Sequence, residues 1–181
     1  MKEIKSHKIN SCQVTVPGSK SYTHRMLIAA ALADGVSELK NALISEDTLL
    51  TIEALRLMGI QIAVNGTDVR VEGTGGRLES CAAPIDLGNS GTSMRLLTGV
   101  AALGKGTYTL TGNARMQKRP IQDLLDALQQ INVQARSVKG NGCPPVEVTG
   151  AKINTKQVEI NCQNSSQYLS ALLLMAPLTQ K

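Results

Sequence analysis

Three stretches of this 181-residue chain are variations on one pattern: GSKSYTHRMLIAAALADG from Gly18, GNSGTSMRLLTGVAALGKG from Gly88 and QNSSQYLSALLLMAPLTQ from Gln163. Each opens on small polar residues and runs into an Ala- and Leu-rich segment of helical length. The starts lie roughly 70 to 75 residues apart, the step of a supersecondary repeat. A second pair keeps the same step: SEDTLLTIEALRLMGIQIAV from Ser45 and RPIQDLLDALQQINVQARSV from Arg119. Apolar residues recur there at helical spacing, as Leu50, Ala54 and Leu57 in one and Leu124, Leu125 and Leu128 in the other. Ser45 with its acidic neighbours, and Pro120 near a first turn, are helix-start signals.

Short β-prone runs fill the gaps. IAVNGTDVRV predicts a hairpin turning at Asn65-Gly66. QVTV, APIDL, GTYTLTG, PVEVTG, QVEINC and the tails IQIAV and INVQARSV predict further strands. The expected class is α/β of the α+β kind, built from β-α-β-β-α-β units over residues 17–86 and 87–160, with a third unit cut short over 161–181. A repeat unit hides its apolar face against its neighbours, so the chain reads as an incomplete piece of a larger protein.

Composition narrows the function. With three Tyr, no Phe and no Trp, the core must be aliphatic, and single-stranded RNA readers, which stack bases on aromatics, are disfavoured. The net charge of +5 favours an anionic partner. No run reaches ~18 apolar residues and the N-terminus lacks an apolar leader, so neither a membrane span nor a secretory signal is expected. Cys12, Cys81, Cys143 and Cys162 stand far apart, a spacing that fits neither a zinc site nor a disulfide framework, and a reduced cytoplasmic setting follows. GVAALGKG places Gly106 where a phosphate-binding P-loop needs Ser or Thr. Glu46 and Asp47 favour a helix dipole without a catalytic role, and His24 is expected on the helix surface.

The three polar openings carry the functional reading. Helix starts expose unpaired N–H groups with positive partial charge, and they attract phosphate and carboxylate. Stacked repeats would bring these starts to one side. Gly91, Ser165 and Ser166 would let backbone approach a ligand, while Lys20, Arg25, Arg95 and Arg119 add full charges and bidentate donors. Such a site suits a small ligand with several negative groups.

At these residues the sequence resembles a known family. PGSKSYTHR, LGNSGTSMR, RMQKRPI and NSSQYLSALLLMAP, in that order, closely resemble motifs of the 5-enolpyruvylshikimate-3-phosphate synthases, over well under half of a usual member. The resemblance implies two similar domains in the enolpyruvyl transferase inside-out barrel fold. Residues 1–16 would then belong with the other domain, and 17–181 would form most of one. It implies transfer of the enolpyruvyl group of phosphoenolpyruvate to the 5-hydroxyl of shikimate 3-phosphate, with no metal or organic cofactor, in a cytoplasmic monomer on the route to chorismate and the aromatic amino acids. By motif, Lys20 would contact both substrates. Ser21, Arg25, Ser165 and Ser166 would hold shikimate 3-phosphate. Gly91 and Arg119 would hold phosphoenolpyruvate, and Gln167 would reach both. Asn89, Thr92, Arg95 and Leu96 would support them. The family's acid–base residues lie in the other domain, so these 181 residues alone are expected to be inactive.

Two positions depart from the family pattern. Leu96 stands where Pro is common, which frees a backbone N–H and implies altered sensitivity to the herbicide glyphosate. Lys118 stands where an acidic residue is common. The alternatives are a UDP-N-acetylglucosamine enolpyruvyl transferase, disfavoured by Ser21 after Lys20, an RNA-binding or RNA-end-processing module of related fold, and an inactive binding fragment.

Overall fold

A computed structural model describes residues 3, 5, 11–153, 155 and 157–179. All five expected helices form: α1 (Lys20–Leu32), α2 (Glu46–Leu57), α3 (Gly91–Ala101), α4 (Gln122–Gln130) and α5 (Gln167–Met175). Ser45 stands directly before α2, as expected, and Pro120 stands two residues before α4. Ser45 N–H donates to Thr48 Oγ1 at 2.9 Å ahead of α2, and Ser90 Oγ accepts from the Ser93 N–H at 3.4 Å ahead of α3. The start of α5 is capped from one residue further out, Ser165 Oγ accepting from Gln167 N–H at 3.2 Å.

The strands form two sheets. The first has the order β1-β3-β2, all antiparallel, from β1 (Asp34–Leu39), β2 (Gln61–Asn65) and β3 (Asp68–Thr74). The expected hairpin is β2–β3, with Asn65 opposite Asp68 and Gly66 at φ +58°. The second sheet runs β4-β5-β7-β6, from β4 (Ile85–Asp86), β5 (Thr107–Thr111), β6 (Gln134–Ser137) and β7 (Val146–Thr149), and only the β4–β5 pair is parallel.

The order of elements corrects the expected unit. The second unit reads β4-α3-β5-α4-β6-β7, that is β-α-β-α-β-β rather than β-α-β-β-α-β. The missed element in the first unit is β1, between α1 and α2. Two expected strands do not form among the described residues. Residues 13–16 have no ladder partner among the described residues, and Val14 and Val16 lie open to solvent. Residues 157–162 form no strand, and the Gln130 side chain takes the place of a neighbouring strand. Its Nε2 donates to Glu159 O and its Oε1 accepts from Glu159 N–H, both at 2.9 Å.

The core is aliphatic, with Tyr108 and Tyr168 as its two fully buried aromatics. Each hydroxyl finds a carbonyl: Tyr108 donates to Glu79 O at 2.7 Å and Tyr168 to Pro120 O at 2.8 Å. The central helix is α3, buried on nearly every side and packed against α1, α2, α5 and β5. Gly99 makes the α3–α5 approach possible, since a Cβ there would stand 3.0 Å from both the Cβ and the carbonyl oxygen of Ala171.

Candidate functional site

Four helix starts are tied into a closed ring by polar contacts. Lys20 Nζ on α1 pairs with Asp47 Oδ2 on α2 at 2.8 Å. The Asp47 carbonyl accepts from Ser93 Oγ on α3 at 3.3 Å. Thr92 Oγ1 on α3 accepts from Gln167 Nε2 on α5 at 3.0 Å. The ring closes where Ser170 Oγ on α5 accepts from Arg25 Nη2 on α1 at 3.0 Å. Every member lies within the first two turns of its helix, so the positive ends of four helices gather at one end of the molecule.

Two arginines converge on Gly91. A Cβ at Gly91 would lie 2.5 Å from Arg119 Nη1 and 3.0 Å from Arg95 Nη1. Arg119 enters from the loop before α4, donates to Asn89 O at 3.4 Å, and follows a one-turn 3-10 helix at Met116–Lys118. Arg95 donates to Gly91 O at 3.3 Å and to Gln167 Oε1 at 3.1 Å, with its guanidinium 5.6 Å above the Tyr168 ring. Arg95 Nε and Asn89 Oδ1 are buried without a hydrogen-bond partner. Buried polar groups of this kind cost free energy unless water or a ligand satisfies them.

Lys20, Arg25, Arg95 and Arg119 thus belong to one cluster that, among the described residues, holds a single carboxylate contact, Asp47. The Lys20–Asp47 pair is half exposed, so its worth to the fold is only about 0–1 kcal/mol. Its consequence is positional: the ammonium is held at the ring. Among the described residues, no cluster of His, Cys, Asp and Glu is placed to hold a metal ion. No described helix is long and apolar enough to cross a membrane.

Gly91, Thr92, Arg95, Arg119, Asn89, Gln167 and Ser165 share one contact network. Lys20 joins it through Asp47 and Ser93, and Arg25 joins it through Ser170. The Ser21 carbonyl accepts from Arg25 Nη1 at 3.0 Å, while its side chain is exposed. Ser166 precedes α5 and lends its carbonyl to Ser170 Oγ at 3.4 Å. Leu96 is wholly buried, facing the core one turn beyond Thr92. His24 corrects an expectation: it is fully buried, with Nδ1 2.8 Å from Thr51 Oγ1. Burial lowers its pKa to about 4, against the upward pull of Asp47 and together with Lys20 and Arg25, so the ring is neutral at pH 7. Thr51, Ser93 and Ser170 were not singled out from the sequence, and Asp47 was read there only as favouring the helix dipole. Their signal was spacing, since Lys20 and His24 share one face of α1, and Asp47 and Thr51 one face of α2.

The family model for EPSP synthase (3-phosphoshikimate 1-carboxyvinyltransferase) matches residues 5–181. The chain belongs to the EPSP synthase family. A 3-phosphoshikimate 1-carboxyvinyltransferase of Methanothermobacter thermautotrophicus is 47% identical over 167 residues, covering 92% of this chain and 39% of the relative. One of Shewanella sediminis is 40% identical over 183 residues, covering 98% of this chain and 43% of the relative. The solved EPSP synthase from Acinetobacter baumannii superposes with a TM-score of 0.82 at 35% identity, over 89% of this chain and 37% of that one. The enolpyruvyl transferase NikO from Streptomyces tendae shares the fold at a TM-score of 0.61 and 14% identity. The chain therefore spans about two fifths of the length of the EPSP synthases it matches.

Proposed function

We propose that this chain supplies one side of an active site that transfers the enolpyruvyl group of phosphoenolpyruvate to the 5-hydroxyl of shikimate 3-phosphate, releasing phosphate. The observation that carries this reading is the convergence of Lys20, Arg25, Arg95 and Arg119 on a ring of four helix starts, in a chain of the EPSP synthase family. Both substrates bear a phosphate and a carboxylate, and this cluster is matched to such charge.

In this reading Gly91 N–H and Arg119 hold phosphoenolpyruvate, with Arg95 behind them. Arg25, Ser21, Ser165 and Ser166 hold shikimate 3-phosphate, and Lys20 and Gln167 lie between the two. Addition of the 5-hydroxyl to C2 of phosphoenolpyruvate, with a proton taken up at C3, gives a tetrahedral ketal phosphate. Loss of that C3 proton and of phosphate restores the vinyl group. The cations stabilise the phosphate as it becomes a leaving group, and loss of one such contact is expected to cost about 2–4 kcal/mol of transition-state stabilisation. The proton carriers are proposed to lie outside these residues, so the chain by itself binds anions and does not turn over.

Calorimetric titration with shikimate 3-phosphate, phosphoenolpyruvate and a short single-stranded RNA tests the assignment. Heat with the two phosphates, abolished in Lys20→Ala and Arg119→Ala, is the expected result. Preference for RNA, or binding indifferent to both substitutions, overturns it.

A further inference from the structure

A second polar network runs beneath the ring. His24 Nδ1 on α1 lies 2.8 Å from Thr51 Oγ1 on α2, and Thr51 Oγ1 lies 2.7 Å from Ser93 Oγ on α3. Ser93 Oγ lies 2.6 Å from Ser90 Oγ, the cap just before Gly91, and donates to Asp47 O at 3.3 Å. All four side chains are fully buried. One consistent assignment has His24 Nδ1–H donating to Thr51, Thr51 to Ser93 and Ser93 to the Asp47 carbonyl, across three helices. His24 Nε2 has no partner.

Simple packing does not require this arrangement. Apolar side chains of similar volume would fill the same space and let the helices slide or rotate. Paired hydroxyls hold one relative placement, because any shift leaves a buried polar group unsatisfied. The two ends of the network are informative. One is the Asp47 backbone, whose side chain holds Lys20. The other is Ser90, which caps the helix that presents Gly91.

We propose that the His24–Thr51–Ser93 relay is a positioning device that fixes the start of α2, and with it Lys20, against the start of α3, and with it Gly91, so that the two halves of the anion site act as one. This rests on the proposed function for the identity of the ligands, but not for the coupling itself. Thr51 is the pivot, since its hydroxyl is the only link from His24 to Ser93 among the described contacts.

The test compares Thr51→Val, which keeps the shape and removes the hydroxyl, with Thr51→Ser, which keeps the hydroxyl. Ser93→Ala is a second way of cutting the relay. Resonances of the Lys20 ammonium and the Gly91 amide are followed by NMR, with titrations of phosphoenolpyruvate and inorganic phosphate. Thr51→Val and Ser93→Ala are expected to shift both resonances and weaken phosphoenolpyruvate about tenfold, on the scale of one hydrogen bond, with Thr51→Ser near the parent. Unmoved resonances and unchanged affinity in whichever of the two cut variants stays folded overturn the relay. If the parent chain binds neither anion, the functional reading fails, and the relay is still decided by whether cutting it moves the Lys20 and Gly91 resonances together.

Discussion

Replacing Gly91 by alanine should damage anion binding while leaving the fold intact. The added Cβ would stand 2.5 Å from Arg119 Nη1, against an ordinary contact of about 3.5 Å, so the guanidinium must retreat by about 1 Å. Arg95 Nη1, at 3.0 Å, must yield by about half that. Both atoms are tips of flexible side chains, and the bond Arg119 gives up, to Asn89 O at 3.4 Å, is a long one. Gly91 is the first residue of α3 and does not sit in the left-handed region, so alanine suits its backbone. Melting of the variant is therefore expected at or slightly above the parent temperature. A charge-assisted hydrogen bond displaced by that distance is largely lost, at about 1.5–3 kcal/mol, or roughly 10- to 100-fold in affinity for phosphoenolpyruvate. NMR titration of labelled chain measures the affinity, and a thermal melt controls for folding. If Gly91→Ala acts through Arg119, the substitution should cost little more when Arg119→Ala is already present. A variant that binds as the parent does, or equal losses in both backgrounds, would show that the close approach at Gly91 has no bearing on the ligand.

Other outcomes follow from the same contacts. Because the His24 pKa falls from its ordinary 6.5 to about 4 on folding, the unfolded chain binds the extra proton between those values, and stability should drop as pH falls through that window by about 3 kcal/mol. Urea unfolding from pH 7.5 to 4 reads this loss, and His24→Asn, with no group titrating there, should show a flatter profile. Gly99→Val would drive α5 away from α3, where even a Cβ meets Ala171 at 3.0 Å, at an expected cost of about 1–3 kcal/mol by thermal unfolding. Tyr168→Phe leaves the Pro120 carbonyl without its donor, and a loss of about 1–3 kcal/mol should appear in urea unfolding.

How much of this was legible depended on whether the determinant was local. The helices announced themselves through apolar spacing and start signals, which is why Ser45 and Pro120 located α2 and α4 from the sequence alone. The strand β1 did not. Asp34–Leu39 has no apolar alternation, most of it is exposed, and Gly35 sits at φ +91°, so only its ladder with β3 makes it a strand. Residues 157–162 mislead in the opposite direction: Val158 and Ile160 alternate as a strand should, yet a glutamine side chain occupies the place of the partner.

The site divides along the same line. Its charged and small residues were visible because they crowd the helix starts, and the family motifs point to those same letters. The residues that hold them together were not visible, since their meaning is a pairing between helices. Lys20 meets Asp47 and His24 meets Thr51, each across 27 positions, as two rungs of one helix pair. Read singly, His24 is a polar residue on an apolar helix, and the surface is the obvious place for it. Read with its rung, it belongs inside. It follows that the precision of the proposed anion site is inherited from helix packing. No single element carries two of the converging groups Lys20, Gly91, Arg119 and Gln167. A substitution that shifts α3 against α2 or α5 should therefore weaken the ligand even where it touches none of them, as Gly99→Val tests from one side and Thr51→Val from the other.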